Sequence, residues 1–349
     1  MRWKGSAAGS LHGRAEVVLR APMRFRVLQR LSRDWFLAGM VAAVVLAALF
    51  PDFGRTGGPM HADVVANVGI FSVFLLHGLG LSAEHLKAGV TRWRLHLLVQ
   101  AFTFGVFPLL WWALDMAAGR WVPPDMSLGF LYLCAVPSTI SSSVAMTGLA
   151  RGNVAGAIFN ASLSSLLGVV LTPLLVSTLA ATAGHSLPLA DAILKLAGLL
   201  VLPLVLGQLL RPWLGRGFAR YKPYTNAFDR LVILVLVYAS FCDSVASGLF
   251  TRYSGSLLAL ALGGAALLLA VVLVLTTLAA RQAKFNKEDE IAAVFCGSKK
   301  TLASGVPMAR LLFGAHPGLG LIVLPLMFYH QLQLLVCSVL ADRYAARTE

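Results

Sequence analysis

Residues 292–312 read AAVFCGSKKTLASGVPMARLL, which places two adjacent lysines, Lys299 and Lys300, inside a hydrophobic segment. A lysine at the centre of a transmembrane helix costs about 2.5–3.5 kcal/mol on insertion scales, so a pair needs relief from a polar cavity or a bound anion. Lys299 lies about nine residues, or roughly 13 Å, inside the segment, near the middle of a hydrocarbon core about 30 Å thick. The stretch therefore predicts a membrane protein with a wet, positively charged site.

The composition of the whole chain is that of a membrane protein. Hydrophobic residues make up 58% and charged residues 13% of the 349 residues, and the mean hydropathy is +0.78. A soluble domain carries about 25% charged residues and needs them to coat its core. We therefore expect an integral, multi-pass membrane protein, surrounded by membrane lipid, whose aqueous parts are short tails and loops.

Ten hydrophobic segments follow one another along the chain. They cover approximately residues 35–50, 63–83, 95–116, 126–149, 153–180, 189–210, 230–250, 256–280, 290–313 and 319–341. We call them the first to the tenth segment. Each is interpreted as a transmembrane helix, because a helix needs about 20 apolar residues to span a bilayer. The fold class predicted is an all-α membrane protein with ten transmembrane helices.

The net charge of +14 is explained by this topology. Of the 29 lysines and arginines, the predicted outer loops hold only Arg55, Arg120 and Arg252. The segments themselves hold Lys195, Lys299, Lys300 and Arg310, and all others lie on the side of the two chain ends. This distribution follows the positive-inside rule for a bacterial inner (plasma) membrane protein with both termini in the cytoplasm. It argues against nucleic acid as a partner.

The ten segments divide into five and five at residues 181–188. Because each half has an odd number of segments, the second half must enter the membrane from the opposite side, as in the inverted repeats of secondary transporters. The predicted organisation is a basic cytoplasmic tail (1–34), a first repeat (35–180), a second repeat (189–341) and a short cytoplasmic tail (342–349).

The fourth and ninth segments stand out because they are dense in hydroxyl groups, glycine and proline. Residues 134–153 read CAVPSTISSSVAMTGLARGN and residues 295–314 read FCGSKKTLASGVPMARLLFG, at corresponding places in the two halves. Pro137 in the first and Gly297, Gly305 and Pro307 in the second should interrupt the helices. Unwound backbone at membrane depth is tolerated where it faces protein or a water-filled cavity. Two matched breaks predict a shared site near the midplane, although small residues also serve close helix packing.

At least one of the two lysines is expected to face this cavity, with hydrogen-bonding neighbours at Ser298, Thr301 and Ser304. Consecutive helical residues point about 100° apart, so both can face one site only if the helix is broken there. A bound organic anion is the predicted partner, since Asp243 lies near the outer end of the seventh segment. The alternative is that a lysine is a fixed internal charge for the helix break or for a carboxylate.

Other polar residues could line the same cavity. Ser141, Ser142 and Ser143 with Asn160 and Ser164 offer enough neutral oxygens for a sodium-type site, in which Ser143, Asn160 and Ser164 are the candidate ligands. The alternative is an ordinary polar seam between helices. In the tenth segment, His330, Gln331 and Gln333 are polar enough to line the same cavity, and His330 and Gln331 are candidates for binding substrate. His330 could also relay protons, with a packing hydrogen bond as the alternative.

Four motifs carry a resemblance to a known family. They are PSTISSS at 137–143, ARGN at 150–153, IFNA at 158–161 with SSLL at 164–167, and FCGSKK at 295–300 with SGVP at 304–307. From about residue 35 onward the chain resembles the bile acid:sodium symporter superfamily, in the branch of sodium/bile acid cotransporter 7-like proteins and their bacterial relatives. The resemblance implies a panel domain from segments 1, 2, 6 and 7, a core domain from segments 3–5 and 8–10, and crossing of the fourth and ninth helices at their breaks.

One departure bears on the coupling ion. Sodium-coupled members of the superfamily carry a glutamate in the broken ninth helix, where this chain has Lys299 and Lys300 and no acid. A lysine ammonium can take the position of a bound cation, so sodium, proton and no coupling ion all stay open. No cofactor is expected other than a sodium ion.

The function predicted is secondary transport of a small organic anion by alternating access. A non-transporting membrane regulator or receptor on a transporter fold, affecting ion homeostasis, is the alternative. An enzyme is not expected, because no acid–base pair or metal-ligand spacing occurs in the sequence. The oligomeric state is left undetermined.

Overall fold

The computed structural model describes residues 35–80, 91–182, 194, 197–220, 222–246, 255–314 and 316–346. Most of these residues are helical, and no strand occurs among them. The predicted tail 1–34, Lys195 and most of the predicted join at 181–188 lie outside the described residues. The all-α prediction is therefore confirmed for the part of the chain that the structure describes.

The described part of the first half forms eight helices. They are α1 (Trp35–Leu49), the one-turn α2 (Pro51–Gly54), α3 (Ala62–Gly80), α4 (Trp93–Ala101), α5 (Phe107–Ala118), α6 (Pro124–Ala135), α7 (Ser141–Leu149) and α8 (Val154–Thr182). A π-helical turn (Phe102–Val106) joins α4 to α5 without a break, and a 3₁₀ turn (Gly119–Trp121) follows α5.

The described part of the second half forms six more helices. They are α9 (Leu202–Arg220), α10 (Lys222–Ala246), α11 (Ser256–Gln282), α12 (Lys287–Gly297), α13 (Gly305–Phe313) and α14 (Leu319–Ala345). A second π-helical turn (Ala197–Val201) precedes α9.

Four of these helical stretches are each long and apolar enough to cross a membrane. They are Trp93–Trp121, Val154–Ala180, Ser256–Gln282 and Leu319–Ala345, and Ala38–Leu49 and Val64–Gly80 are shorter apolar helices. The membrane assignment rests on these lengths and on composition. The count of ten spans and their arrangement as a five-plus-five repeat stay predictions.

Several helices extend beyond the hydrophobic segments that predicted them, and α10 begins at Lys222, before the predicted start at residue 230. The helix α9 continues to Arg220, beyond the predicted end at residue 210, and α14 continues to Ala345, beyond 341. The added part of α9 carries three arginines but also Pro212, Gly215 and Gly217, and that of α14 is polar. Hydropathy marks only the apolar length of a helix, which can continue into polar residues, so the sequence placed these two ends too early.

The fourth and ninth segments are each broken into two helices, as predicted. The helix α6 ends at Ala135 because Pro137 disfavours helical backbone in the preceding residue, and Val136 is extended with φ −69° and ψ 154°. The helix α12 ends at Gly297, and the chain becomes helical again at Gly305. Pro307 then lies in the first turn of α13, where its missing N–H leaves no helical hydrogen bond unmade.

The helices pack in two groups. The panel group consists of α1, α3, α9 and α10, in which α3 packs on α9 and α10 packs on both α1 and α3. The core group consists of α4–α8 and α11–α14, with α6 and α14 packed at its centre. The two groups meet where α10 contacts α13 and α14, and where the turn Ala197–Val201 contacts α8. The boundary between the groups therefore runs past α13, which follows the break in the ninth segment.

Candidate functional site

The two helix breaks lie against each other. The backbone N–H of Thr301 donates to the carbonyl oxygen of Pro137 at 3.0 Å, so one break is hydrogen-bonded directly to the other. The Ser138 hydroxyl donates to the carbonyl oxygen of Cys296, the penultimate residue of α12, at 2.6 Å. Backbone groups that the breaks release from helical bonding thus find partners across the site, as buried polar groups require.

Lys300 is fully buried at the centre of this junction. Its Nζ donates to the carbonyl oxygens of Thr103, Cys134 and Val136, each at 2.8 Å. The ammonium also lies over the ring of Phe107, 4.0 Å from its centroid. An ammonium group has three N–H donors, and all three are used here.

The backbone of Lys300 is held by a side chain from the facing helix. Gln333 on α14 accepts from the Lys300 N–H with its Oε1 and donates to the Lys300 carbonyl oxygen with its Nε2, both at 2.8 Å. Its Nε2 also lies 2.9 Å from Nδ1 of His330. The prediction placed Gln333 on the cavity wall together with His330 and Gln331. Gln333 is instead fully buried against the backbone of Lys300 and does not line the cavity.

Lys299 is also fully buried, and its Nζ donates to the carbonyl oxygen of Ser142 at 2.8 Å. The ring of Phe295 lies 5.3 Å from the same nitrogen. The prediction that at least one lysine side chain faces the cavity is wrong for this structure, because neither lysine lines it. Backbone carbonyl oxygens of the fourth segment and of the π-helical turn lie close enough to bind both ammonium groups. This geometry matches the alternative of fixed internal charges.

The serines and threonines predicted beside the lysines divide between two positions. Thr301 and Ser304 line the cavity, and their hydroxyl oxygens lie 3.4 Å apart. Ser298 is buried instead, where its hydroxyl donates to the Val294 carbonyl at 2.6 Å and its carbonyl accepts from the Tyr329 hydroxyl at 2.6 Å. Ser298 therefore holds the end of α12 and does not line the cavity.

The three candidate sodium ligands are fully buried, and each has a protein partner. Ser143 donates to a carbonyl oxygen of α12 at 3.1 Å. Asn160 accepts from the Gln100 amide at its backbone oxygen at 3.1 Å and at its Oδ1 at 3.4 Å. Ser164 accepts from the backbone N–H of Ser138 at 2.9 Å. These contacts are those of a polar seam between core helices, and sodium binding by these residues stays a prediction.

A cavity of about 620 Å³ lies between the panel and core groups. Apolar side chains such as Phe74, Leu166 and Ile233 form much of its wall. The hydroxyl groups on its wall belong to Thr139, Ser142, Ser162, Ser165, Thr301, Ser304 and Ser338. His330 and Gln331 also line it, as predicted. Of Ser141, the structure describes the backbone, which begins α7.

The panel group adds charged side chains to the wall that the prediction did not include. Asp229 and Arg230 on α10 line the cavity, and Asp229 pairs with Nε2 of His77 on α3 at 3.1 Å. The guanidinium of Arg230 lies over the rings of Trp35 and Phe36, at 5.8 and 5.5 Å from their centroids. The sequence reading assigned Arg230 to a cytoplasmic loop, because the start of α10 is more polar than a hydrophobic segment.

A buried ion pair connects the two groups at another place. Arg310 on α13 lies 3.5 Å from the carboxylate of Asp243 on α10. Asp243 also accepts from the backbone N–H of Thr56 at 2.6 Å and from its hydroxyl at 3.0 Å. Asp243, predicted near the outer end of the seventh segment and away from the lysines, therefore pairs with an arginine of the ninth segment.

Residues 34–346 match the model of the SBF-like CPA transporter family. An uncharacterized protein of Pseudomonas aeruginosa, PA2026, is 48% identical over 316 residues, which are 90% of this chain and 94% of that protein. YfeH of Escherichia coli (strain K12), which carries a symporter name, is 42% identical over 332 residues, 93% of this chain and 95% of that protein.

A vertebrate relative has a lower sequence identity over a similar share of both chains. Sodium/bile acid cotransporter 7 of Rattus norvegicus is 32% identical over 318 residues, covering 90% of this chain and 93% of that protein. The matches therefore extend over both helix groups and both breaks.

Proposed function

Because the chain belongs to the SBF-like CPA transporter family, we propose that this secondary transporter carries an organic anion through the cavity between its panel and core groups. The cavity is the observation that carries the proposal. Its volume of about 620 Å³ lies within the range of about 300–1,000 Å³ that small-molecule sites occupy. Its mixture of apolar wall and scattered hydroxyl groups suits a substrate with an apolar body and a few polar groups.

The charge around the cavity favours an anion. In its wall, Arg230 and Asp229 offset each other. Behind the wall are two buried ammonium groups, and Lys299 is bonded to the carbonyl of Ser142, a residue that lines the cavity. Charges out of contact with bulk water are screened weakly, so their potential extends into the cavity. The excess of positive charge would attract a carboxylate, sulfate or phosphate group.

The position of the cavity supports alternating access. The cavity is lined by Arg230 near the start of α10, whereas the Arg310–Asp243 pair closes the two groups near the end of the same helix. The predicted topology puts the start of α10 on the cytoplasmic side. We infer that the described conformation is open toward the cytoplasm and that movement of the core group against the panel group opens the other side.

The test is uptake of radiolabelled organic anions into proteoliposomes, each compared with a neutral analogue of the same size. We expect Lys299→Ala and Arg230→Gln to reduce uptake of the anion at least about tenfold, corresponding to about 1.4 kcal/mol of lost interaction. Lys287→Ala removes the same charge from an exposed position at the start of α12 and should transport normally.

Two results would count against this proposal. Equal uptake of anion and neutral analogue would show that charge does not select the substrate. Saturable binding without any flux would instead support the alternative of a non-transporting receptor on this fold.

A further inference from the structure

The three carbonyl oxygens around the Lys300 ammonium are free because the helices that contain them are interrupted at these places. In an α-helix the Cys134 carbonyl would accept from the N–H of Ser138, but that N–H donates to the hydroxyl of Ser164. Val136 follows the end of α6 and lies outside any helix. Two of the three acceptors are therefore released by the break in the fourth segment.

The third carbonyl is released by the π-helical turn. In α-helical register the Thr103 carbonyl would accept from the N–H of Phe107, but that N–H donates to Phe102 instead. In π-helical register the donor to Thr103 would come from residue 108, which is a proline without an N–H. The Thr103 carbonyl thus has no helical donor in either register, and it points to the ammonium at 2.8 Å.

Three converging carbonyl oxygens with an aromatic face beside them form a site for a compact monovalent cation. Carbonyl oxygens replace the hydration shell of such ions in selective channels, and an aromatic face attracts cations electrostatically. The ring of Phe107 lies 4.0 Å from the Lys300 nitrogen. No carboxylate among the described residues lies within ion-pairing distance of that nitrogen. The site therefore relies on dipoles, which suit a single positive charge.

We propose that this is a monovalent-cation site occupied by the protein's own Lys300 ammonium. Removing the side chain beyond Cβ exposes the site to a free ion of the same kind, and methylammonium, which reproduces the end of the lysine, is the ligand it takes. This inference deepens the proposed transport function. Its consequence is that the wild-type protein needs no free sodium ion between its helix breaks.

The experiment measures the melting temperature of detergent-solubilised Lys300→Ala protein in methylammonium, sodium, potassium or tetramethylammonium chloride at constant ionic strength. We expect the variant to melt at least about 5 °C below wild type, because three buried carbonyls lose their donors. Methylammonium should restore at least about half of that loss saturably, by binding only the folded state. Tetramethylammonium has the same charge and no N–H donor, and it should have no effect.

The matched control is Lys299→Ala, because Lys299 is equally buried but donates to one carbonyl only. Neither this variant nor wild type should respond to methylammonium. An equal response in Lys299→Ala, an equal effect of tetramethylammonium, or a folded Lys300→Ala protein that no cation stabilises would overturn the proposal. A response to sodium as strong as to methylammonium would identify a metal-accepting site and still support it.

If Lys300→Ala cannot be purified as a folded protein in any of these salts, the melting temperatures of Lys300→Met and Lys299→Met are compared instead. Methionine keeps most of the side-chain volume and removes the charge. The proposal then requires a larger loss of melting temperature for Lys300→Met, and equal losses would refute it. Because these measurements contain no substrate and no flux, their outcome is separate from that of the transport experiment.

Discussion

At the scale of single residues, the position of the lysine pair depends on Gln333. This fully buried side chain forms two hydrogen bonds with the backbone of Lys300, one to the N–H and one to the carbonyl. A non-helical residue needs such partners, because its backbone groups are not paired within a helix. We expect Gln333→Leu to lose about 2–6 kcal/mol of stability, since two buried backbone groups each lose a partner worth about 1–3 kcal/mol.

Gln331→Leu is the control for this prediction. Gln331 lines the cavity, and its amide lies 3.7 Å from the sulfur of Met40, a weak contact. Thermal unfolding in detergent should therefore show a large loss for Gln333→Leu and a small one for Gln331→Leu. Similar losses in the two variants would show that Gln333 does not support the break beyond ordinary helix packing.

At the scale of helices, the break between α6 and α7 is held open by α8. The Ser138 N–H, which would continue helix α6, donates to the hydroxyl of Ser164. Ser164→Ala leaves this buried N–H without its partner, and we expect a loss of about 1–3 kcal/mol. The neighbouring cavity residue Ser165 provides the matched change, and Ser165→Ala should stay within about 0.5 kcal/mol of wild type.

The same pair of variants separates a packing role from the predicted sodium role of Ser164. If Ser164 is a sodium ligand, sodium chloride should raise the melting temperature of wild type and of Ser165→Ala but not of Ser164→Ala. If it acts through Ser138 alone, potassium and sodium chloride should be equivalent for all three proteins. Titrating both salts at constant ionic strength distinguishes the two results.

Both helix breaks were predictable from sequence, because proline and glycine act on the backbone next to them. Pro137 and Gly297 gave their positions to within a few residues. The partners of the lysines were not predictable in this way. The Thr103 carbonyl is freed by a π-helical turn that lies more than 190 residues before Lys300 in the chain. A change from α-helical to π-helical register leaves no distinct hydrophobic pattern in the sequence. Sequence reasoning therefore assigned an external anion to an ammonium that backbone carbonyls already bind.

The residues that line the cavity were also predicted only in part. Five of the residues predicted to bind substrate line it, since polar side chains on apolar helices need a polar surrounding: Ser142, Thr301, Ser304, His330 and Gln331. Asp229 and Arg230 were missed because they precede the apolar part of α10, and only the packing of the panel group brings the start of α10 to the cavity wall.

At the scale of the whole molecule, an ion pair joins the panel and core groups near the end of α10, and the cavity separates them near its start. Arg310 from the core group pairs with Asp243 from the panel group, and Thr56 donates hydrogen bonds to the same carboxylate. The two charged side chains are 8% and 11% exposed, so the pair is nearly dry. Removing one member of a buried pair leaves an uncompensated charge and costs about 3–5 kcal/mol.

In a transporter that alternates between two states, losing the pair destabilises only the state in which Arg310 and Asp243 are in contact. Asp243→Asn should therefore shift the population toward the state open on the Arg310 side, by roughly 100-fold for about 3 kcal/mol. A cysteine introduced by Thr301→Cys at the cavity wall reports this shift. Membrane-impermeant thiol reagents should label it mainly from the Arg230 side in the wild-type background, and from the opposite side when Asp243→Asn is added.

The exposed pair Arg55–Asp52 provides the control, because it lies at α2, next to Thr56 in the sequence, and its side chains are 52% and 83% exposed. Pairs in contact with water contribute about 0–1 kcal/mol, so Arg55→Gln should leave the labelling pattern unchanged. The double variant of Arg310→Gln with Asp243→Asn should label no more than Asp243→Asn alone, because the pair is already lost. Labelling from one side only in every variant would mean that another contact holds the two groups closed.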